Sequence, residues 1–406
     1  MSSTPGCVYR IVSRKLNKNT MMQPMKNALI PFYYPGDKLL VKSKDCYQYD
    51  ADGKEYIDFE SGVWCTNLGH CNDRIAKLVE KQAKESVHHG YKFRNRYAEE
   101  LSIELQRLIG FENGSSVFLS SGSEAVNLSI TISRNITGRN KLLKIDNSFL
   151  SSYGFGQISK ENENLVNAPF NDSNAIKNID FNEIAAFVIE TGGASVEMVR
   201  FPDFGYLTQL TEAAKKNNCL IIAEEVTTGM GRLGKWFGFQ HYDIIPDIVV
   251  TGKALGNGFP ISAVTISSDI TEKFRQNPFG YAQSHQNDPF GCAIGLEVIQ
   301  IIEETGLISK ANTVGLYFKE QLEQVLNNHK DKIKEVRARG LMLALEFRDG
   351  FDGKQISDSL FELGNVIGFK LNTLRFLPPL TIKTSDIDKM IGQLNRLLSD
   401  INNTLN

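Results

Sequence analysis

Two short apolar runs, Leu220–Ala223 and Ile248–Val250, constrain this 406-residue chain more than any other feature. Both are rich in Ile and Val and too short to be helices, the pattern of strands buried on both faces of a parallel sheet. The connection between them is long enough for a parallel crossover, and consecutive strands of that kind usually lie side by side and point the same way. The first run stops at Glu224 and Glu225, the second at Thr251, Gly252 and Lys253. Ligands of open α/β sheets bind outside the carboxyl ends of the strands, so an acid and a lysine converge on one crevice. A lysine taken alone is ordinarily a solvated loop residue. At a strand end, facing an acid and flanked by Thr and Gly, Lys253 instead suits a Schiff-base amine whose pKa burial depresses.

Composition narrows the partners. A net charge of −2 with interspersed signs gives no reason to expect nucleic acid or an anionic membrane, and no stretch approaches the length of a transmembrane helix. The N-terminus has basic residues but no apolar core of a secretory signal. Six cysteines form no CxxC and no metal-ligand pattern with the six histidines, so reduced thiols, a cytoplasmic protein and no metal are expected. No GxGxxG opens a βαβ unit and no Walker A sequence is present, which argues against a nucleotide-binding α/β protein.

Taken in order, the chain is irregular over residues 1–36. A hairpin follows, with a turn at Asp50-Ala51-Asp52-Gly53, then a helix from about Asp73 to Ser86 that His70 introduces. Val117–Gly138 reads as a strand end, Ser120-Ser121-Gly122-Ser123-Glu124, and a helix. Such a turn presents free backbone N–H groups at the positive end of a helix, a natural phosphate seat, with Ser121 or Ser123 as its N-cap. Ala185–Ile189 is another buried run, ending in Glu190. After Gly306 the pattern changes to a helix, Ile308–Asn328, then the strand-like LMLALEF and short closing elements.

These motifs closely resemble those of the class III (ω-amino acid type, acetylornithine/ornithine-like) aminotransferases, fold type I enzymes that use pyridoxal 5′-phosphate. The resemblance is carried by Glu225-Val226, Thr228-Gly229, Gly231-Arg232, Gly234, Pro246-Asp247-Ile248 and Lys253 through Pro260. It spans about residue 40 to the C-terminus. It implies an α/β fold with a large domain built on a mostly parallel central sheet and a smaller α+β domain. The boundaries expected are an N-terminal segment 1–60 packing with the small domain, a large cofactor-binding domain 61–305 and a small domain 306–406.

The resemblance also implies roles. Lys253 bonds the cofactor covalently and shuttles protons; Gly122 and Ser123 hold its phosphate; Phe149 lies on one face of its ring and Val226 on the other. Tyr153 competes with Phe149 for the stacking role, because Leu150-Ser151-Ser152 stand where relatives carry His-Gly. Glu224 faces the pyridine nitrogen in place of the usual Asp, and Thr227 replaces the Gln that touches the phenolic oxygen. Ser284 stands for the Thr that reaches the phosphate of the neighbouring subunit of a homodimer; His285 beside it is a polar loop residue or a substrate contact. Arg375, before Pro378-Pro379-Leu380, grips a substrate carboxylate, and Glu190 lies on the substrate side with Trp64, Tyr91 and Phe93. The second glutamate of the ornithine-type loop has no clear partner, Ser195 being nearest. The function expected is transfer of an amino group from an amino acid donor, ornithine-like or otherwise ω-amino, to an oxo acid such as 2-oxoglutarate. The alternative is an amino acid racemase, epimerase or aminomutase on the same scaffold.

Overall fold

The computed structural model describes residue 30 and residues 36–156, 163–193 and 199–403. The chain divides into two compact units, Met1–Leu39 and Leu40–Asn406. All fifteen strands of the described residues lie in the second. The irregular stretch 1–36 and Ser195 fall almost wholly outside the described residues.

The hairpin forms as its turn residues dictate. Strands β1 (Leu40–Lys44), β2 (Tyr47–Asp50) and β3 (Glu55–Asp58) pair antiparallel. Asp50 Oδ1 closes the second turn by accepting from the N–H groups of Asp52 and Lys54, the local bonding that makes Asp a turn former.

The central sheet contains β4 (Ser115–Leu119), β5 (Lys141–Ile145), β6 (Leu165–Ala168), β7 (Ile184–Glu190), β8 (Leu220–Glu224), β9 (Ile248–Thr251) and β10 (Ser262–Ile266), ordered β4-β10-β9-β8-β7-β5-β6. β5 to β9 run parallel, whereas β10 is antiparallel to both β9 and β4. The short return from Thr251 to Ser262 permits that reversal, since antiparallel neighbours need no crossover. Every residue of β7, β8 and β9 is buried. Alternate residues serve opposite faces: Ala186 and Val188 pack with Ala125 and Leu128 of helix Gly122–Thr137. Phe187 and Ile189 pack with Leu207 and Leu210 of helix Phe204–Lys216. Covering both faces excludes water from the sheet and leaves its carboxyl edge as the accessible rim.

A third sheet joins β11 (Ile333–Arg339), β12 (Met342–Phe347), β14 (Gly368–Lys370) and β15 (Thr373–Phe376) in the antiparallel order β11-β12-β15-β14. Between them in sequence, β13 (Asn365–Val366) returns to pair in parallel with β3. The segment after β15 then bonds to the one after β3: the Leu377 N–H donates to the Phe59 carbonyl at 2.7 Å and the Leu380 N–H to the Asn67 carbonyl at 2.8 Å. Residues near positions 60 and 375 are thereby brought side by side. Among the described residues no helix is long and apolar enough to cross a membrane.

Candidate active site

The crevice is built at the carboxyl ends of β7, β8 and β9. Register pairs Glu190 with Glu224 and Glu224 with Val250, so the two acids are neighbours and Lys253 follows three residues after Val250. Lys253 opens a short 3-10 turn with a φ of +43°, a left-handed conformation that is unusual for a residue with a long side chain and persists only where its surroundings impose it. Asn257 supplies part of that constraint: its Oδ1 accepts from the Leu68 N–H at 2.9 Å and its Nδ2 donates to the Gly69 carbonyl at 3.0 Å. The Lys253 ammonium Nζ donates to Thr227 Oγ1 at 2.6 Å and stands 4.4 Å from the centre of the Trp64 indole.

Burial governs the charges here. Glu190 is pushed up to about 7, chiefly by desolvation, although its Oε2 accepts from the Phe149 N–H at 3.0 Å and Lys253 opposes the shift. Glu224 is raised well above the carboxylate range, first by burial and then by Glu190 beside it, while its Oε1 accepts from the Val226 N–H at 3.1 Å. Burial lowers Lys253, with Glu224 pulling the other way. The amine is thus shifted down and the two acids up, toward each other, the direction that acid–base chemistry needs. Glu225, next in sequence, has another use. Its carboxylate accepts from Thr228 Oγ1 and from the N–H groups of Gly238 and Phe239, which fastens the following loop.

The turn expected to seat a phosphate opens helix Gly122–Thr137. Ser121 is the N-cap, accepting from the Glu124 N–H, while the Glu124 carboxylate accepts from the Ser120 and Ser121 N–H groups. That leaves the Gly122 and Ser123 N–H groups, on the first turn, without intrahelical acceptors. Ser123 Oγ accepts from the Ser152 N–H at 3.0 Å. A Cβ at Gly122 would lie 2.8 Å from Val226 Cγ1, and one at Gly252 would lie 3.3 Å from the same atom. Helix start, Val226 and the lysine turn therefore close on one another as a cradle that only backbone can line. Free N–H donors there, an isopropyl wall, a buried acid and an amine are a donor set that fits pyridoxal phosphate.

Phe149 is half-buried and tied through its N–H to Glu190. Tyr153 is more exposed and its carbonyl is held by Asn127 of the helix, away from the strand end. Ser284 is exposed in a loop whose neighbour Asn287 bonds both ways to Phe118 at the end of β4. His285 pairs with Asp288, which also meets His88. Tyr91 and Phe93 are exposed, and only Trp64 of the three aromatics joins the crevice. His70 does more than lead into its helix: its Nε2 lies 2.7 Å from Asp58 Oδ2, and Asn72 caps the helix.

Arg375 enters from β15, far away in sequence. Its guanidinium spans the Glu60 carboxylate, Nε to Oε1 at 3.3 Å and Nη2 to Oε2 at 3.0 Å, and its centre lies 4.6 Å from the Trp64 ring. Glu60 carried no signal in the sequence beyond being an acid between Phe59 and Ser61. Arg232, a motif residue without an assigned role, is fully buried and donates to the carbonyls of Leu341 and Pro378, to Ser61 and to Asn67. It ties the loop on both sides of Trp64 to the segment after Arg375.

Comparison with known proteins agrees with this geometry. The family model for class III aminotransferases matches residues 35–154 and 150–398. The acetylornithine aminotransferase of Caldanaerobacter subterraneus is 31% identical over 399 residues, 93% of this chain and 98% of the relative. A [LysW]-aminoadipate semialdehyde/glutamate semialdehyde transaminase of Sulfurisphaera tokodaii is 30% identical, covering 86% of this chain and 92% of its own. Among solved structures, acetylornithine aminotransferase from Elizabethkingia anophelis superposes with a TM-score of 0.80 at 26% identity, over 91% of this chain and 96% of that one. The named relatives are all aminotransferases, which favours amino transfer over racemisation, epimerisation or aminomutase chemistry. The chain has the fold type I architecture and belongs to the class III aminotransferases, pyridoxal-phosphate enzymes that move an amino group from an amino acid to an oxo acid.

Proposed function

We propose that the crevice around Lys253 is the transamination site and that its amino donor reacts through an ω-amino group, with an ornithine-like amino acid as donor and 2-oxoglutarate as acceptor. The observation that carries the reading is the half-buried Lys253 amine, 2.6 Å from Thr227 Oγ1 and one strand away from buried Glu224. The acetylornithine aminotransferase names of the relatives support the donor class.

Bound here, pyridoxal phosphate supplies the carbonyl that captures amines and the ring that spreads the charge left when a proton departs from the substrate carbon. Lys253 would bond the cofactor and carry that proton, and burial, which lowers its pKa, eases release of the proton from its amine. Thr227 accepts a hydrogen bond from the amine and holds it in one direction. Gly122 and Ser123 would take the phosphate, and Phe149 and Val226 would pack against the ring. Glu224 would lie toward the ring nitrogen, and burial raises its pKa, which favours its holding a proton there. Glu190 sits beside it on the substrate side, and Arg375 anchors the substrate carboxylate with its planar fork.

The same reading makes the enzyme a cytoplasmic homodimer in which Ser284 completes the partner's phosphate site, consistent with its exposure. It divides the chain into a segment 1–60, a large domain 61–305 and a small domain 306–406. The pairing of β3 with β13 supports grouping the first with the last.

The test is the visible spectrum of the protein reconstituted with pyridoxal phosphate. A bound-cofactor band that Lys253→Ala abolishes, and that one amino donor bleaches without any acceptor, is expected. No band, or a Lys253→Ala protein with the wild-type band, overturns the assignment. A band that persists while solvent deuterium enters the substrate carbon overturns amino transfer alone.

A further inference from the structure

Two histidines and an aspartate meet outside the crevice. Asp288 precedes helix Pro289–Glu304 at the position where an Asp ordinarily caps the first turn, yet its side chain makes no capping bond. Its two oxygens face two imidazoles instead. His88, in the segment after helix Asp73–Glu85, brings Nδ1 to 2.5 Å from Oδ1, and His285 brings Nδ1 to 2.5 Å from Oδ2. The ring centres are 5.3 Å apart and the planes 57° to each other, so the rings converge on the carboxylate without stacking. All three donor groups lie within 4.8 Å of one another, and among the described residues no other three His, Cys, Asp or Glu side chains are so grouped. Bonds outside the cluster hold the same segments together. Asn95 Nδ2 donates to the Asn287 carbonyl and Tyr91 Oη to the Gln283 carbonyl, each at 2.5 Å, while Asn287 bonds both ways to Phe118. Spacing along the chain, the ground for expecting no metal, does not register donors 200 positions apart.

The Asp288 side chain is 18% exposed, whereas both rings keep an edge in water. A cavity of about 360 Å³, lined by Val87, Ser120, Phe259 and Phe290 among others, opens onto His285 and Asp288 and leaves room for further ligands. Two imidazole nitrogens and a carboxylate oxygen with an open side are the ligand set of a borderline divalent ion. Mg²⁺ and Ca²⁺ demand oxygen throughout. We propose that His88, His285 and Asp288 bind a divalent cation of the Zn²⁺ class, with water in the remaining position. The ion takes the Nδ1 lone pair of each ring, whose proton then resides on the outward Nε2. Zinc bonds of about 2.0–2.1 Å in a tetrahedron set donors about 3.3 Å apart. The rings therefore back away from the carboxylate by less than about 1 Å, a shift that exposed side chains can make. The ion fastens the loop that carries Ser284 to the segment after helix Asp73–Glu85. It is a clamp and takes no part in amino transfer.

The holoenzyme, dialysed against a chelator and kept free of amino substrates, is titrated calorimetrically with ZnCl₂. One Zn²⁺ per chain is expected. His88→Gln, His285→Gln and Asp288→Asn each weaken binding by at least about tenfold, because losing even a residue that only orients a metal ligand costs that much. His89→Gln removes the adjacent imidazole, which stands outside the cluster, and leaves binding unchanged. The two exposed histidines carry the test if Asp288→Asn, at the helix start, does not fold. Zn²⁺ also raises the melting temperature of the wild type and not that of the three cluster variants, since a ligand stabilises only the state that binds it. A wild-type protein that binds no Zn²⁺ overturns the site. So does equal Zn²⁺ affinity in the wild type and the cluster variants, or binding that His89→Gln abolishes. Mg²⁺ bound as tightly as Zn²⁺ overturns the class of cation.

Discussion

At the scale of single residues, the crevice depends on charges buried at a cost. Arg232 is fully buried and its pKa is drawn down to about 9 by desolvation, against the pull of Glu60 and Asp58. Its four acceptors belong to three separate segments, so removing it takes a donor from all of them together, and among the described residues only the Ser61 hydroxyl keeps another partner, the Leu377 carbonyl. Arg232→Met should destabilise the protein by about 3–5 kcal/mol, as for other broken buried charge networks. Arg232→Lys should recover little, because an ammonium cannot reproduce the fork. Urea unfolding of both variants checks this; a loss within the range of surface substitutions would refute it. Glu190 gives a pH dependence. Its folded pKa of about 7 lies above the ordinary 4.5, so in that interval the folded state retains a proton that the unfolded state has released. The stabilisation is fully present below about pH 4.5 and is lost as pH rises through about 7. Relative to Glu190→Gln, which has no such titration, the apoenzyme should lose up to roughly 3 kcal/mol across that window. Melting curves of the two proteins at matched pH measure the difference; parallel curves would count against a raised Glu190.

At the scale of elements, the turn from β4 into helix Gly122–Thr137 separates stability from binding. Ser121→Ala removes the capping hydroxyl and should cost about 1 kcal/mol with little change in cofactor affinity. Gly122→Ala keeps the cap but drives a methyl to within 2.8 and 3.0 Å of the two γ carbons of Val226, a β-branched side chain with few rotamers to yield into. Overpacking of this kind costs about 1–3 kcal/mol, and here it falls on the turn proposed to hold the cofactor. Weakened binding in a spectrophotometric titration is expected for Gly122→Ala and not for Ser121→Ala. The elements most legible in the sequence are those set by local chemistry. β8 and β9 are unbroken apolar runs, and the helix start announces itself through Ser121 and Glu124. The Asp50 turn and helix Leu307–Asn328 follow for the same reason. Sequence patterning does not give the antiparallel setting of β10, because an apolar run has no direction. Nor does it give the meeting of Glu60 with Arg375 across 315 positions. That contact depends on how the segments after β3 and β15 bond to each other, and no local propensity encodes it.

At the scale of the whole molecule, the question is where the site of one chain ends. Lys253, Thr227, Glu224 and the Gly122 turn all come from a single sheet edge, whereas Ser284 lies exposed on a loop anchored to β4 through Asn287. If that hydroxyl serves a second copy, two defective chains should repair one another. Lys253→Ala and Ser284→Ala proteins are each expected to bind pyridoxal phosphate poorly, the first for want of the amine and the second for want of a phosphate donor. In a mixed dimer one crevice receives both defects. The other combines the intact Lys253 of one chain with the intact Ser284 of its partner. Refolding an equal mixture, with differently tagged chains so that the hybrid is isolated, should restore tight binding at close to one cofactor per dimer. The measurement is the absorbance of the bound cofactor after gel filtration. A hybrid that binds no better than its parents would place Ser284 in the service of its own chain, or of neither, and would remove the reason for expecting shared sites.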